Sequence, residues 1–271
     1  MVRRTDWQEG IHRMFLAVMV GIVLLPFVPL VIWSFAAGWA WPNLLPERWS
    51  LRAWTYLFSP SAQTGSAVLS SLAIAAAATW INLLLALPAA HALSRLSFRG
   101  RALFQALFYA PLIVPPFVTL MGMYTHFIRT GLSGTYFGVI LVHLIPSFPY
   151  MLRALLVGYD AFGTVWEEQA RMLGAGRWQR MRHVVIPFLL PGVVAGASLS
   201  LLVSFSQYLI TLLMGGGRII TLPLLLFPFL SGGDPAIGTA YTLLFSSMGI
   251  LALWGMNGTL THYYGKKMRR F

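Results

Sequence analysis

SAVLSSLAIAAAATWINLLLALPAAHAL, residues 66–93, runs for 28 residues without a charged side chain. As a helix rising 1.5 Å per residue it would be about 42 Å long, more than the roughly 30 Å hydrocarbon core of a bilayer. Residues 14–37, 102–128, 135–157, 188–214 and 238–263 form five comparable runs. They are continuously apolar rather than alternating, which predicts helices rather than the strands of a closed barrel. Composition agrees: 58% of the chain is hydrophobic and 10% charged, against about a quarter charged in an ordinary soluble domain. The expected fold is all-α, a polytopic membrane protein with six transmembrane helices in a single domain spanning residues 1–271.

The first thirteen residues, MVRRTDWQEGIHR, are basic and lead into the run 14–37. That run is longer than the 7–15 residues of a signal-peptide core, so an uncleaved first helix is expected. The chain contains no cysteine, which removes disulfides, thiolate metal sites and cysteine nucleophiles from consideration.

Lysine and arginine set the orientation. With both termini in the cytoplasm, segments 1–13, 94–101, 158–187 and 264–271 carry fourteen basic residues, and the three outer segments carry four. The net charge of +12 is then mainly an orientation signal and a contact with anionic lipid. It is divided among short loops rather than gathered in one stripe, so nucleic acid is not an expected partner. The implied location is a bacterial-type plasma (inner) membrane.

Nine prolines fall within the spans, most densely in the third and fourth (Pro111, Pro115, Pro116, Pro146, Pro149). Each frees a carbonyl and bends its helix, so packing kinks are expected, with a cavity or gate where they crowd. Segment 215–237 holds only about ten apolar residues between glycine clusters, too few to span. It is expected to be an outer surface helix or a partly inserted loop. Trp39, Trp41, Trp54, Tyr56 and Phe58 are read as an interfacial aromatic belt.

The longest cytoplasmic loop, within residues 158–187, reads DAFGTVWEEQARMLGAGRWQRMRHVVIP from Asp160 to Pro187. Thr164 and Glu167 have the spacing of a capping box, and Glu167 and Arg171 that of an i, i+4 pair. Trp166, Ala170 and Leu173 share one face, and Gly174 supplies a stop. A second short helix is expected from about Gly176 into the fifth span. From physics alone, the loop could equally be an amphipathic segment lying on lipid heads.

Glu168-Gln169-Ala170, three residues, Gly174, nine residues, then Val184-Val185-Ile186-Pro187 resembles the cytoplasmic loop of permease subunits in binding-protein-dependent ABC importers. The family pattern is Glu-Ala-Ala, three residues, Gly, nine residues, Ile-x-Leu-Pro. Glu168, Ala170, Gly174 and Pro187 match; Gln169, Val184 and Ile186 depart from it, the last two conservatively. The wider resemblance covers about residues 65–265. It implies that the loop is a coupling helix seated in a groove of an ATP-hydrolysing subunit. Glu168 would then face that subunit, Trp166, Ala170 and Leu173 would fill the groove, Gly174 would allow the turn, and Ile186 and Pro187 would lead into the membrane. It also implies two ATP-binding subunits, a second permease that is homologous or identical, and a soluble substrate-binding protein. Arg171, Arg177, Arg180 and Arg182 are read as orienting the loop at the lipid surface.

The chain has no G-x-x-x-x-G-K-[ST] phosphate loop, so ATP and magnesium would bind the partner and this chain would be no enzyme. None of its seven acidic residues falls inside a predicted span, which weighs against an ion-coupled carrier. An ATP-independent secondary transporter or channel is the alternative. An intramembrane hydrolase comes third, because Ser204, Ser206 and His143 are not arranged as a set. Polar residues in the spans include Asn82, His126 and His143, for which interhelical hydrogen bonding is the plain reading. The cluster SFSQYLIT, residues 204–211, is the candidate substrate pathway, with Ser204, Ser206, Gln207 and Tyr208 its members. No His and carboxylate spacing suggests a metal.

Taken whole, the chain resembles the second permease of the polyamine group, whose relatives import ferric iron, thiamine and phosphonates. Polyamine relatives often carry acidic residues where this chain has Ser206 and Gln207. A polycation pathway lacking acidic groups is hard to justify electrostatically. The expected cargo is thus a small solute such as polyamine, thiamine, phosphonate or ferric iron, left open at this level.

Overall fold

The computed structural model describes residues 6–38 and 45–268. It is helical almost throughout, and the only strands among these residues are two-residue pieces. The elements are α1 (Asp6–Leu24), α2 (Phe27–Ser34), β1 (Ala36–Ala37), β2 (Arg48–Trp49), α3 (Arg52–Leu57), α4 (Thr64–Arg95), α5 (Arg101–Ile113), α6 (Pro116–Arg129) and α7 (Tyr136–Phe162). They continue as α8 (Val165–Met172), α9 (Arg177–Arg180), α10 (Ile186–Phe205), α11 (Leu209–Gly215), α12 (Leu222–Leu230) and α13 (Pro235–Met268). Four helices are long and apolar enough to cross a bilayer on their own, and the total is six if two bent pairs each count as one span. The all-α polytopic expectation therefore holds.

The two bent pairs differ from the expected straight spans, and both bends have a local cause. The first span breaks by 46° between α1 and α2, at Pro26. The expected span 102–128 is two helices, α5 and α6, meeting at 101°. Val114 and Pro115 are extended there (ψ 126° and 132°). The residue before a proline is pushed out of the helical region, and Pro115–Pro116 does this twice in succession. Isolated prolines, by contrast, leave α4 (Pro88) and α10 (Pro191) unbroken. The fifth span also departs from expectation: α10 ends at Phe205, and the chain turns through Ser206–Tyr208 before α11 begins. The short apolar piece expected in 215–237 is α12.

The chain divides into two compact units, Met1–Thr64 with Leu225–Ser246, and Gly65–Leu224 with Ser247–Phe271. In the first, β1 and β2 pair antiparallel, Ala36 opposite Trp49. Asp234 caps the start of α13, accepting from the N–H groups of Ala236 (3.0 Å) and Ile237 (3.3 Å), and forms an ion pair with Arg52. Tyr241 shares a hydrogen bond with Thr64 (2.9 Å) and stacks on Phe229. Trp54 packs between Phe35 and Phe58, and Tyr56 meets Phe229 edge-on, so these two aromatics serve packing in this unit. Trp39 and Trp41 lie outside the described residues. Along α1 and the following turn, every residue from Gly10 to Pro26 is exposed.

The second unit is built on α7 against α10. Their approach depends on small residues: a Cβ at Gly192 would stand 2.9 Å from the Ala154 carbonyl oxygen, and one at Gly196 would stand 2.9 Å from Met151 Sδ. This is the small-residue packing by which membrane helices gain van der Waals contact where lipid gives no hydrophobic drive. Ala86, Ala90 and Leu93 of α4 join Leu152, Leu155 and Tyr159 of α7 and Leu189 of α10 in one buried cluster. A second cluster joins Ile74, Leu120, Val142, Ile210 and Met214.

Candidate functional site

The loop after α7 folds as a pinned helical hairpin. Gly163 ends α7 at positive φ (67°) with ψ extended (−163°), a conformation that favours glycine, and α8 starts two residues later. α8 closes with a Schellman motif. The Ala175 N–H reaches the Ala170 carbonyl (3.0 Å) and the Gly174 N–H reaches that of Arg171 (3.0 Å), with Gly174 left-handed at φ 80°. Gly174 is thus the stop its sequence position suggested. Gln179 Oε1 accepts from the Gly176 N–H (3.0 Å) at the start of α9. A π-turn, Met181–Val185, joins α9 to α10. Pro187 supplies no N–H and would crowd the carbonyl of His183, and the widened turn before it relieves that conflict.

The start of α8 differs from the expected capping box. Thr164 makes no side-chain cap bond. Glu167 reaches neither back to Thr164 nor on to Arg171; it pairs with Arg95 Nε at 3.1 Å, at the end of α4. Arg95 is the hub of this corner. Its guanidinium also donates to the carbonyls of Tyr159 (3.3 Å) and Gly163 and to Ser94 Oγ (3.1 Å). It lies over the rings of Tyr159 (5.2 Å) and Phe162 (5.9 Å). The two side chains of the pair are only 12% and 20% exposed. A second pin is aromatic: Trp166 stacks on Phe188 of α10 at 6.2 Å, and Phe188 meets Phe162 at 4.8 Å.

Trp166 and Phe188 stay about half exposed (52% and 53%), and beyond them the hairpin tip presents apolar side chains outward. Leu173 is 88% exposed, Met172 86% and Trp178 73%. Glu168 is exposed, Ala170 half-buried, Ile186 exposed at the start of α10, and Pro187 half-buried. Ordering a short hairpin with two tryptophans and leaving its largest apolar groups in water is the pattern of a surface built for a partner.

Residues 82–258 match the family described as the binding-protein-dependent transport system inner membrane component. The chain belongs to that family. It is 31% identical over 259 residues to the molybdenum transport system permease protein ModB of Mycobacterium tuberculosis, covering 89% of this chain and 92% of that one. It is 27% identical over 230 residues to the putative 2-aminoethylphosphonate transport system permease protein PhnV of Salmonella typhimurium, covering 84% and 86%. A bacterial ABC transporter involved in the import of the acidic polysaccharide alginate has the same fold, with TM-score 0.64, 17% identity and 97% of this chain covered.

Within the spans of this permease a polar seam joins four helices. Asn82 of α4, completely buried, donates from Nδ2 to Ser147 Oγ of α7 (2.7 Å) and to Ser200 Oγ of α10 (3.1 Å). The Ser147 hydroxyl in turn donates to the His143 carbonyl (2.5 Å). One turn away, His143 bonds Ser204 of α10 through Nδ1 (2.9 Å) and Thr211 of α11 through Nε2 (3.0 Å). Thr211 donates to the Gln207 carbonyl (2.8 Å), so its hydroxyl oxygen accepts from His143 Nε2–H.

Of the four pathway residues expected from sequence, Ser204 is buried and bonded to His143. Ser206 is exposed and donates to the Val203 carbonyl (3.1 Å), and Gln207 and Tyr208 are half-buried in the turn between α10 and α11. The interhelical hydrogen bonding read for Asn82 and His143 is present, whereas sequence reasoning missed Arg95, Phe188 and the bridge partners Ser147 and Ser200. Arg95 stands 72 residues from Glu167, and no local pattern links the two. Among the described residues no group of three or more His, Asp or Glu is placed to hold a metal.

Proposed function

We propose that this chain is the membrane-spanning subunit of an ATP-driven importer, forming half of a translocation pathway together with a second permease. The whole chain, residues 1–271, acts as one permease domain with both termini in the cytoplasm. Two separate ATP-binding subunits hold ATP and magnesium, and a soluble binding protein delivers the cargo. The observation that carries this reading is the α8–α9 hairpin, pinned from within and apolar at its outward tip. Trp166, Glu168, Ala170, Leu173, Gly174, Ile186 and Pro187 make up the coupling segment. In it Leu173 supplies the contact, Gly174 the turn and Trp166 the base. Ser204, Ser206, Gln207 and Tyr208 mark the pathway, where the break after α10 leaves Ser206 unburied beside half-buried Gln207 and Tyr208.

The cargo we infer is a small oxyanion. Relatives carry molybdenum and 2-aminoethylphosphonate in their names, and the spans offer hydroxyls, amides and an imidazole, with none of the chain's acidic residues among them. Phosphonate fits this better than polyamine, thiamine or ferric iron.

The test is ATPase activity of the complex in nanodiscs, with and without binding protein, for the wild type and for Glu168→Arg and Gly174→Trp. The reading expects an ATP-binding subunit to copurify and each substitution to uncouple or release it. Transport by the chain alone, without ATP and unaffected by either change, would establish an ATP-independent carrier instead. The ligand retained by the binding protein names the cargo.

A further inference from the structure

Arg95 has no place in the proposed docking face, yet it makes more contacts of chemical consequence than any other charged residue described above. Three elements meet on its guanidinium: the end of α4 that carries it, the last carbonyls of α7, and Glu167 in the first turn of α8. The pair is largely shielded from water, so it is screened less than a surface ion pair. Cationic charge at the C-terminus of α7 and anionic charge at the N-terminus of α8 both suit the helix dipoles. Between these two helices stands Gly163, at positive φ, with no heavy atom within 4 Å of where a Cβ would sit. That joint has no side chain to stiffen it and is held through its backbone, by its N–H on the Tyr159 carbonyl (3.1 Å) and by Arg95 on its own carbonyl.

We propose that Arg95 is a positioning residue for coupling. It locks α8 to α4 and α7 across the glycine joint at Gly163, so that displacement of the hairpin is delivered to the spanning helices. This rests on the reading of the hairpin as the ATPase contact. Without the lock, α8 swivels on Gly163 while still docked, and nucleotide-driven movement is lost in the loop. The Trp166–Phe188 stack ties α8 to α10, and the lock adds a tie from α8 to the ends of α4 and α7, which already pack together in the buried cluster.

The assembled complex tests this, and the absence of native cysteines allows site-specific spin labels at Arg99→Cys and Val165→Cys, both exposed. The wild type should give one narrow interlabel distance distribution, and Glu167→Gln should broaden it. In proteoliposomes, cargo moved per ATP hydrolysed should fall about five- to thirtyfold for Glu167→Gln and at least as far for Arg95→Gln. Arg95→Lys, which keeps the charge but loses the fork, should fall between. The ATP-binding subunit should copurify throughout. Wild-type transport per ATP in Glu167→Gln and Arg95→Gln overturns the proposal, whether or not the distances broaden. If Arg95→Gln fails to assemble, Glu167→Gln decides. If that variant also loses the ATPase subunit, the pair serves folding only and the proposal is wrong. Failure of the docking reading is seen separately, as unaltered ATPase binding and transport in Glu168→Arg and Gly174→Trp.

Discussion

The α8–α9 hairpin and the seam from Asn82 to Thr211 break opposite rules of burial. The hairpin leaves Met172, Leu173 and Trp178 in water, and the seam carries two serine bridges, an asparagine and a histidine through the apolar interior. What separates them is completeness. Nearly every polar group of the seam finds its partner inside the chain; Asn82 Oδ1 is the exception. The hairpin completes only its inward side, through Arg95 and Phe188, and leaves the outward side unmatched. A buried polar group that is satisfied costs little and fixes helix register. An exposed apolar cluster on a capped frame has no such internal explanation, and the proposed function assigns it to contact with another chain.

The contrast can be broken from either side. The largest expected effect is on binding: Leu173→Asp should weaken the ATP-binding subunit by about 2 kcal/mol or more, roughly thirtyfold in Kd, while the melting temperature of the isolated permease stays unchanged. Titrating purified ATP-binding subunit onto labelled nanodiscs measures it. Next is Gly192→Val, which forces methyls against the Ala154 carbonyl oxygen 2.9 Å from the would-be Cβ and should cost about 1–3 kcal/mol of stability, read by thermal unfolding in detergent. Asn82→Leu leaves Ser147 and Ser200 without their shared donor and should cost about 1–2 kcal/mol in the same assay, with ATPase binding intact. The smallest effect is that of Ser206→Ala, within about 0.5 kcal/mol on stability, because its hydroxyl is exposed and bonded only within its own turn. Any change it makes to transport would then report on the pathway itself.

What the sequence made legible follows the range of the forces involved. The long helices α4, α7, α10 and α13 follow from apolar length, and the hairpin's stop follows from Gly174, since a left-handed glycine is a local event. The break between α5 and α6 was less legible. Pro115 and Pro116 read as two more kinks among many, although two successive prolines hold two successive residues extended, and the path turns by 101°. The end of α10 carries no glycine or proline to announce it. The least legible feature was the destination of Glu167. Its spacing to Thr164 and Arg171 satisfied two local rules, and a tertiary partner at Arg95 outcompeted both. The same holds for Ser204, whose bond to His143 spans 61 residues. Local spacing proposes partners, and only packing decides among them.

The central claim, that the hairpin tip is where this permease meets its ATPase, is tested most directly by a photoreactive label on Leu173→Cys in the assembled complex, compared with the same label on Phe58→Cys. Both side chains are exposed, and the chain has no other cysteine. The account predicts that the Leu173 label captures the ATP-binding subunit in high yield and that the Phe58 label does not. An assembled, ATP-hydrolysing complex in which the Leu173 label captures only lipid or nothing would contradict it.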